Sequence, residues 1–189
     1  TKIFLHPSGG YIFSAYSNSS NGDITMNKGS YDMMLVQLDS LGNITWKKNY
    51  GSSLVDYNTV FYPCADGGYL LAGSTFGDDG DVPVHYDYYD MWLGKTDASG
   101  NLLWGKTLGG TEDEQNAMVV QAGDGGYVMS AYTGSFDNDV LVNNGGKDFW
   151  IAKLNPLTGV NEENQTLALS IYPNPSSGIL KVQGLKVKL

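Results

Sequence analysis

The feature that constrains this chain most is a block of 58 residues that returns without insertion or deletion. Gly9-Gly10-Tyr11 recurs as Gly67-Gly68-Tyr69 and as Gly125-Gly126-Tyr127. The same offset joins Asp23, Asp81 and Asp139, joins Asp32, Asp90 and Asp148, and carries Trp46 onto Trp104 and Lys95 onto Lys153. The shared positions are mainly Gly, Asp, Asn and aromatic residues. A fixed period of this size marks one supersecondary unit stacked on copies of itself. About 2.75 copies are present: a partial unit 1–8, units 9–66 and 67–124, and a last piece 125–154. Residues 155–166 read as a linker. The chain opens on Thr1 in mid-repeat, so it is expected to be a piece of a longer protein.

Each unit reads as four short strands. In the second, these are about 58–65, 69–74, 90–96 and 101–106, and Asp66-Gly67-Gly68 supplies the positive φ that a tight hairpin needs. No stretch sustains an apolar period of 3.6 residues, which disfavours helices. The second strand is apolar at consecutive positions, so it expects cover on both faces. Four-stranded antiparallel blades of a β-propeller provide that cover; a β-sandwich and an open β-solenoid are the alternatives. The fold class expected is therefore all-β.

Composition narrows the function. Against 20 acidic residues stand 11 basic ones, all lysine, for a net charge of −9. An acidic field without any bidentate arginine repels polyanions, so nucleic acid is not an expected partner. No apolar run is long enough for a transmembrane helix. The single cysteine, Cys64, has His6 and Ala122 as repeat counterparts, and reads as a small buried strand residue rather than a reactive thiol.

Two resemblances follow from particular residues. Asp97-Ala98-Ser99-Gly100-Asn101-Leu102-Leu103-Trp104 and its counterpart ending in Trp46 resemble the Asp…Gly…Trp turn of quinoprotein-like and sialidase-like propellers. The spacing departs from both, so the resemblance implies only a turn-closing Asp and a Trp wedged between blades. Ser170-Ile171-Tyr172-Pro173-Asn174-Pro175-Ser176-Ser177-Gly178 resembles the opening of the C-terminal sorting domain of type IX secretion substrates. That resemblance implies that 167–189 begins a small β-sandwich, with Tyr172, Pro173, Asn174, Pro175 and Gly178 as its motif. It further implies the type IX machinery as a partner, and an extracellular or outer-membrane surface location. Most of such a domain is missing here, so this chain alone is not expected to be export-competent.

The candidate sites lie on the loops between second and third strands. Asp79 and Asp81, Asp137 and Asp139, and Asp23 sit in Asp- and Gly-rich turns whose spacing directs two oxygens toward one point, and calcium is the ion such a pattern suits. No loop carries the full EF-hand pattern, and the same residues favour turns without metal. No other cofactor is expected. Asp32, Asp90 and Asp148 open the third strand of every unit and are expected to bond turn amides. Glu112 and Glu114 have the look of an acid pair for a glycosidic bond, on what reads as a solvated loop. His85, Tyr86, Tyr88 and Tyr89 form an aromatic loop found in the second unit alone, the expected contact for a glycan or protein ligand. Repetition without a unique catalytic cluster favours a non-catalytic adhesion or binding scaffold over an enzyme. The alternatives are the propeller portion of an extracellular polysaccharide-acting enzyme and a spacer without ligand.

Overall fold

The computed structural model describes residues 2–156, 170–172 and 181–183. It is all-β, with no helix among the described residues. The strands are β1 (Ile3–Leu5), β2 (Tyr11–Ser17), β3 (Asp32–Leu38), β4 (Ile44–Tyr50), β5 (Asp56–Pro63), β6 (Tyr69–Thr75), β7 (Asp90–Thr96), β8 (Leu102–Leu108), β9 (Glu114–Gln121), β10 (Tyr127–Thr133), β11 (Asp148–Leu154), β12 (Ser170–Tyr172) and β13 (Lys181–Gln183). β1–β4 and β5–β8 are antiparallel meanders, β9–β11 a three-stranded one, and β12–β13 a separate pair. Each of the first three sheets starts one strand ahead of its Gly-Gly-Tyr, so blocks counted from the glycines cut these sheets after their first strands. The registers repeat: Tyr11 faces Leu38, Tyr69 faces Thr96 and Tyr127 faces Leu154.

Local chemistry explains why strands stop where they do. Asp39 Oδ1 accepts the Leu41 and Asn43 amides at 2.8 Å, and Asp97 Oδ1 accepts those of Ser99 and Asn101. An aspartate that bonds its own downstream backbone makes a turn without help from the rest of the fold. Asp66 and Asp124 do the same for the amides of Gly68 and Gly126.

The first three sheets stack in chain order, the second offering one face to the first sheet and the other to the third. Ile12, Met33 and Leu35 of the first sheet meet Phe61, Leu71 and Trp92 of the second. On the second sheet's other side, Leu70, Met91 and Leu93 meet Val119, Met129 and Trp150 of the third. This is why β6 and β7 are buried at every position. The two tryptophans expected to wedge between sheets do so. Trp46 packs on Tyr69 with ring centres 6.2 Å apart, and Trp104 on Tyr127 at 5.6 Å. Cys64 is buried just past β5, and burial pushes its thiol up to about 11, which keeps it protonated.

Candidate functional site

The loops between second and third strands all lie at one end of the stack. In the first loop Asn21 and Asp23 flank Gly22, and in the other two a pair of acids flanks a residue in the same left-handed region, Gly80 or Asn138. That conformation turns both neighbouring carboxylates to one side, and Gly or Asn adopts it at least cost. In the second sheet, Asp79 Oδ1 accepts the Ser53 amide at 2.6 Å, and Asp81 Oδ2 accepts the Gly51 amide at 3.1 Å. The Asp81 amide returns a bond to the Gly51 carbonyl. One repeat later, Asp137 accepts from the Thr111 amide and hydroxyl, and Asp139 Oδ2 accepts the Gly109 amide at 3.2 Å. The loop of each sheet thus grips the connection that follows the sheet before it. Hydrogen bonds from Ser53 hold the Asp79 carboxyl below its ordinary range, whereas burial raises that of Asp139.

The carboxylates of Asp79, Asp81, Asp137 and Asp139 face backbone amides rather than converging on a shared point. Asp23 stands in the first sheet, where its carbonyl accepts the Lys47 ammonium. Among the described residues no three His, Cys, Asp or Glu side chains gather in a way that would hold a metal ion.

A second set of acids lies deeper. Asp32 and Asp90 accept the amides of Lys28 and Tyr86, and Asp148 accepts that of Asn144, so this series bonds turn amides as expected. Asp56 Oδ2 accepts the Ser52 amide at 2.7 Å, and Glu114 Oε2 accepts the Gly110 amide at 2.8 Å. Glu114 is fully buried with Thr133 bonded to its other oxygen. It is therefore closed to a glycosidic bond, contrary to a reading as a solvated loop acid. A Cβ on Gly109 would run into both Asp90 Oδ1 and Glu114 Oε2, so the two carboxylates face each other across a glycine. Asp32 Oδ1 and Asp90 Oδ1 are buried without a hydrogen-bond partner. Burial, followed by the charges of Glu114, Asp139 and Asp87, pushes Asp90 up to about 7 against the Tyr86 amide that favours its anion.

The aromatic loop is only partly displayed. His85 bonds the Tyr88 carbonyl, and the Tyr88 ring is 54% exposed. Tyr86 turns instead into the seam, where its hydroxyl faces Asp139 and its pKa is raised, first by burial. Tyr89 and His85 join a longer run of rings that the sequence did not reveal. Tyr31 meets Tyr16 at 6.0 Å, Tyr16 meets Tyr57 at 6.4 Å, and Tyr57 meets Tyr89 at 4.9 Å. Phe76 then bridges Tyr89 at 5.1 Å and His85 at 5.2 Å. Lys147 lies over the Tyr132 ring on the third sheet. The rings come from five separate segments of two sheets, which is why no local motif announced them.

The sorting-type motif falls mostly outside the described residues, since Pro173, Asn174, Pro175 and Gly178 are not among them. The strands on either side pair antiparallel, with Tyr172 opposite Lys181. Among the described residues no helix is long and apolar enough to cross a membrane. Compared with known proteins, the chain matches no family model and no curated protein.

Proposed function

We propose that this chain belongs to a non-catalytic β-repeat protein displayed on or released from the cell surface, and that its aromatic strip binds glycans. The strip from Tyr31 through Tyr16, Tyr57 and Tyr89 to Phe76 is the observation that carries this reading. Tyrosine offers a flat apolar face for the C–H side of a sugar and a hydroxyl for its polar edge, at small entropic cost. Tyr16 and Tyr31 are exposed, so a ligand can reach the strip.

Sheets of one design stacked in chain order support the further reading that these are blades of a β-propeller. Export rests on the Tyr172-Pro173-Asn174-Pro175 stretch and its resemblance to type IX sorting domains. The acids repeated per sheet serve turns and seams, which favours a scaffold over an enzyme.

The binding test is a glycan and polysaccharide array probed with the purified chain. A Tyr16→Ala, Tyr57→Ala double variant that keeps its far-ultraviolet spectrum is expected to lose at least about tenfold in affinity. Binding that ignores both substitutions, or none across the array, rejects the reading. For export, the natural full-length protein should reach the surface in a host with type IX secretion and stay periplasmic when that pathway is disabled.

A further inference from the structure

The rings of the aromatic strip are turned against one another. Their planes meet at 63° for Tyr16 and Tyr31, 58° for Tyr16 and Tyr57, and 70° for Tyr57 and Tyr89. Phe76 continues the series at 53° to Tyr89 and 57° to His85. No single plane touches all of these rings, so a flat, ribbon-like polymer can lie against one of them and no more. A chain that coils can follow the run, laying the apolar side of successive sugars on rings that turn with it. Ring centres follow at 4.9 to 6.4 Å, comparable with the advance of one sugar along a chain, so the strip suits several linked sugars. The run also crosses from the segments of the first sheet, Tyr16 and Tyr31, to those of the second, Tyr57, Phe76 and Tyr89. Both sides of that seam are described.

Charge around the strip is acidic, and its cations are already engaged. Asp87, two residues before Tyr89, is exposed. Lys28, three residues before Tyr31, pairs with Asp81. Tyr31 and Tyr89 are repeat counterparts, and the next residue in that series is Lys147. Its ammonium lies 4.6 Å over the Tyr132 ring and 3.5 Å from Asp113. At the third sheet, then, a lysine held by its own neighbours stands in the place of a ring. The Tyr57 hydroxyl is pushed up to about 12, first by burial and then by Tyr89, Tyr132 and Asp113, so it stays a neutral donor. The chain has no arginine. A uronate or sulfate would therefore meet carboxylates here and, among the described residues flanking the strip, only lysines that are already paired.

We infer that the strip takes the interior of a single uncharged polysaccharide chain, coiled rather than ribbon-like and several sugars long, with Tyr57 at the centre of the contact. The ring angles are wrong for a flat crystalline face, the spacing suits linked sugars, and the paired lysines leave no partner for an acidic one. This inference rests on the glycan reading proposed above and narrows it to one ligand class. It is independent of export and of how many sheets the stack contains.

Titration calorimetry of the whole chain with three kinds of probe tests it. The coiling neutral probes are a soluble β-1,3-glucan and amylose, each also supplied as a series of oligomers. Polygalacturonate is the charged chain, and microcrystalline cellulose, sedimented with the protein, is the flat face. At least one coiling glucan is expected to bind, with affinity rising at least about tenfold from the disaccharide to the longest oligomer. A tenfold rise in ionic strength should change that affinity by less than about twofold, since no charge is matched. Tyr31→Ala, at an exposed position, should weaken it as the Tyr16→Ala, Tyr57→Ala pair does, and serves if that pair disturbs folding. Failure of both glucans, tighter binding of polygalacturonate or cellulose, or a disaccharide that binds as well as the longest oligomer overturns the inference. If another glycan of the array then binds and the tyrosine variants abolish it, the broader glycan reading stands. Silence across the whole array removes both.

Discussion

The seam between first and second sheets and the seam between second and third use the same positions, yet they differ in charge. In the first, Lys28 pairs with Asp81 beside the buried acids Asp32 and Asp56. In the second, position 86 holds tyrosine, so Asp139, Asp90 and Glu114 meet without that cation. Lys106 eases Asp139 alone, as a nearby charge. Burial first, and then the charges of Glu114, Asp139 and Asp87, push Asp90 up to about 7, whereas Lys28 offsets part of the rise that burial imposes on Asp32. A repeat can copy its hydrogen-bond geometry faithfully and leave its charge balance unmatched, because a backbone amide serves any carboxylate while an ammonium must be supplied by sequence.

The sharpest way to break this comparison is Asp90→Asn. Asp90 has a folded pKa above its ordinary 3.8, so the proton it binds stabilises the fold. That contribution is complete below about 3.8 and is lost as pH rises toward 7. Asparagine keeps an acceptor for the Tyr86 amide and adds a donor toward Glu114. At pH 8 it is expected to gain on the order of 2–3 kcal/mol, or roughly 5 °C in Tm, and almost nothing at pH 4. Thermal melts of both proteins between pH 4 and 8 check this, and parallel curves would sink the assignment.

A smaller contrast concerns the two seam tryptophans. Trp92 Nε1 donates to the Asp81 carbonyl at 2.9 Å, whereas Trp150 Nε1 is buried without an acceptor. The indole of Trp92 lies over Gly94, where a Cβ would strike the ring. The third sheet has Ala152 at that position, so Trp150 is denied the same pose. Trp92→Phe should therefore cost about 1–2 kcal/mol more than Trp150→Phe, since only the first abandons a made bond. Equal losses by urea denaturation would show that the indole bond contributes nothing.

The smallest effect sharpens rather than breaks the comparison. Tyr86→Lys places in the second seam the cation that the first already has. At pH 8 it is expected to add about 0.5–1 kcal/mol, as a partly exposed ion pair does, with the gain shrinking in high salt. It should also shift the pH at which stability falls to a lower value, read from the same melts.

Much of the fold was legible without coordinates. Turn aspartates such as Asp39 and Asp97 act within four residues of themselves, so the strand boundaries they set can be read locally. The wedge role of Trp46 and Trp104 was legible too, from an aromatic recurring once per unit. The candidate site was less so. For Asp79 and Asp137, spacing alone cannot tell that the preceding connection supplies amides to them. Tyr86 seemed to belong with Tyr88 and Tyr89, but its position is the one that Lys28 fills in the first seam, and it turns inward. Tyr16, Tyr31, Tyr57 and Phe76 carried no local signal.

What the sequence determined by itself is the repeat, its antiparallel hairpins and the alternation of faces, because these depend on turn chemistry and on a side-chain period of two. Only the tertiary structure decided which acids confront each other across a glycine and which rings line up into a strip. Those outcomes depend on how one sheet is offset over the next, and that offset is set by side chains a whole repeat apart.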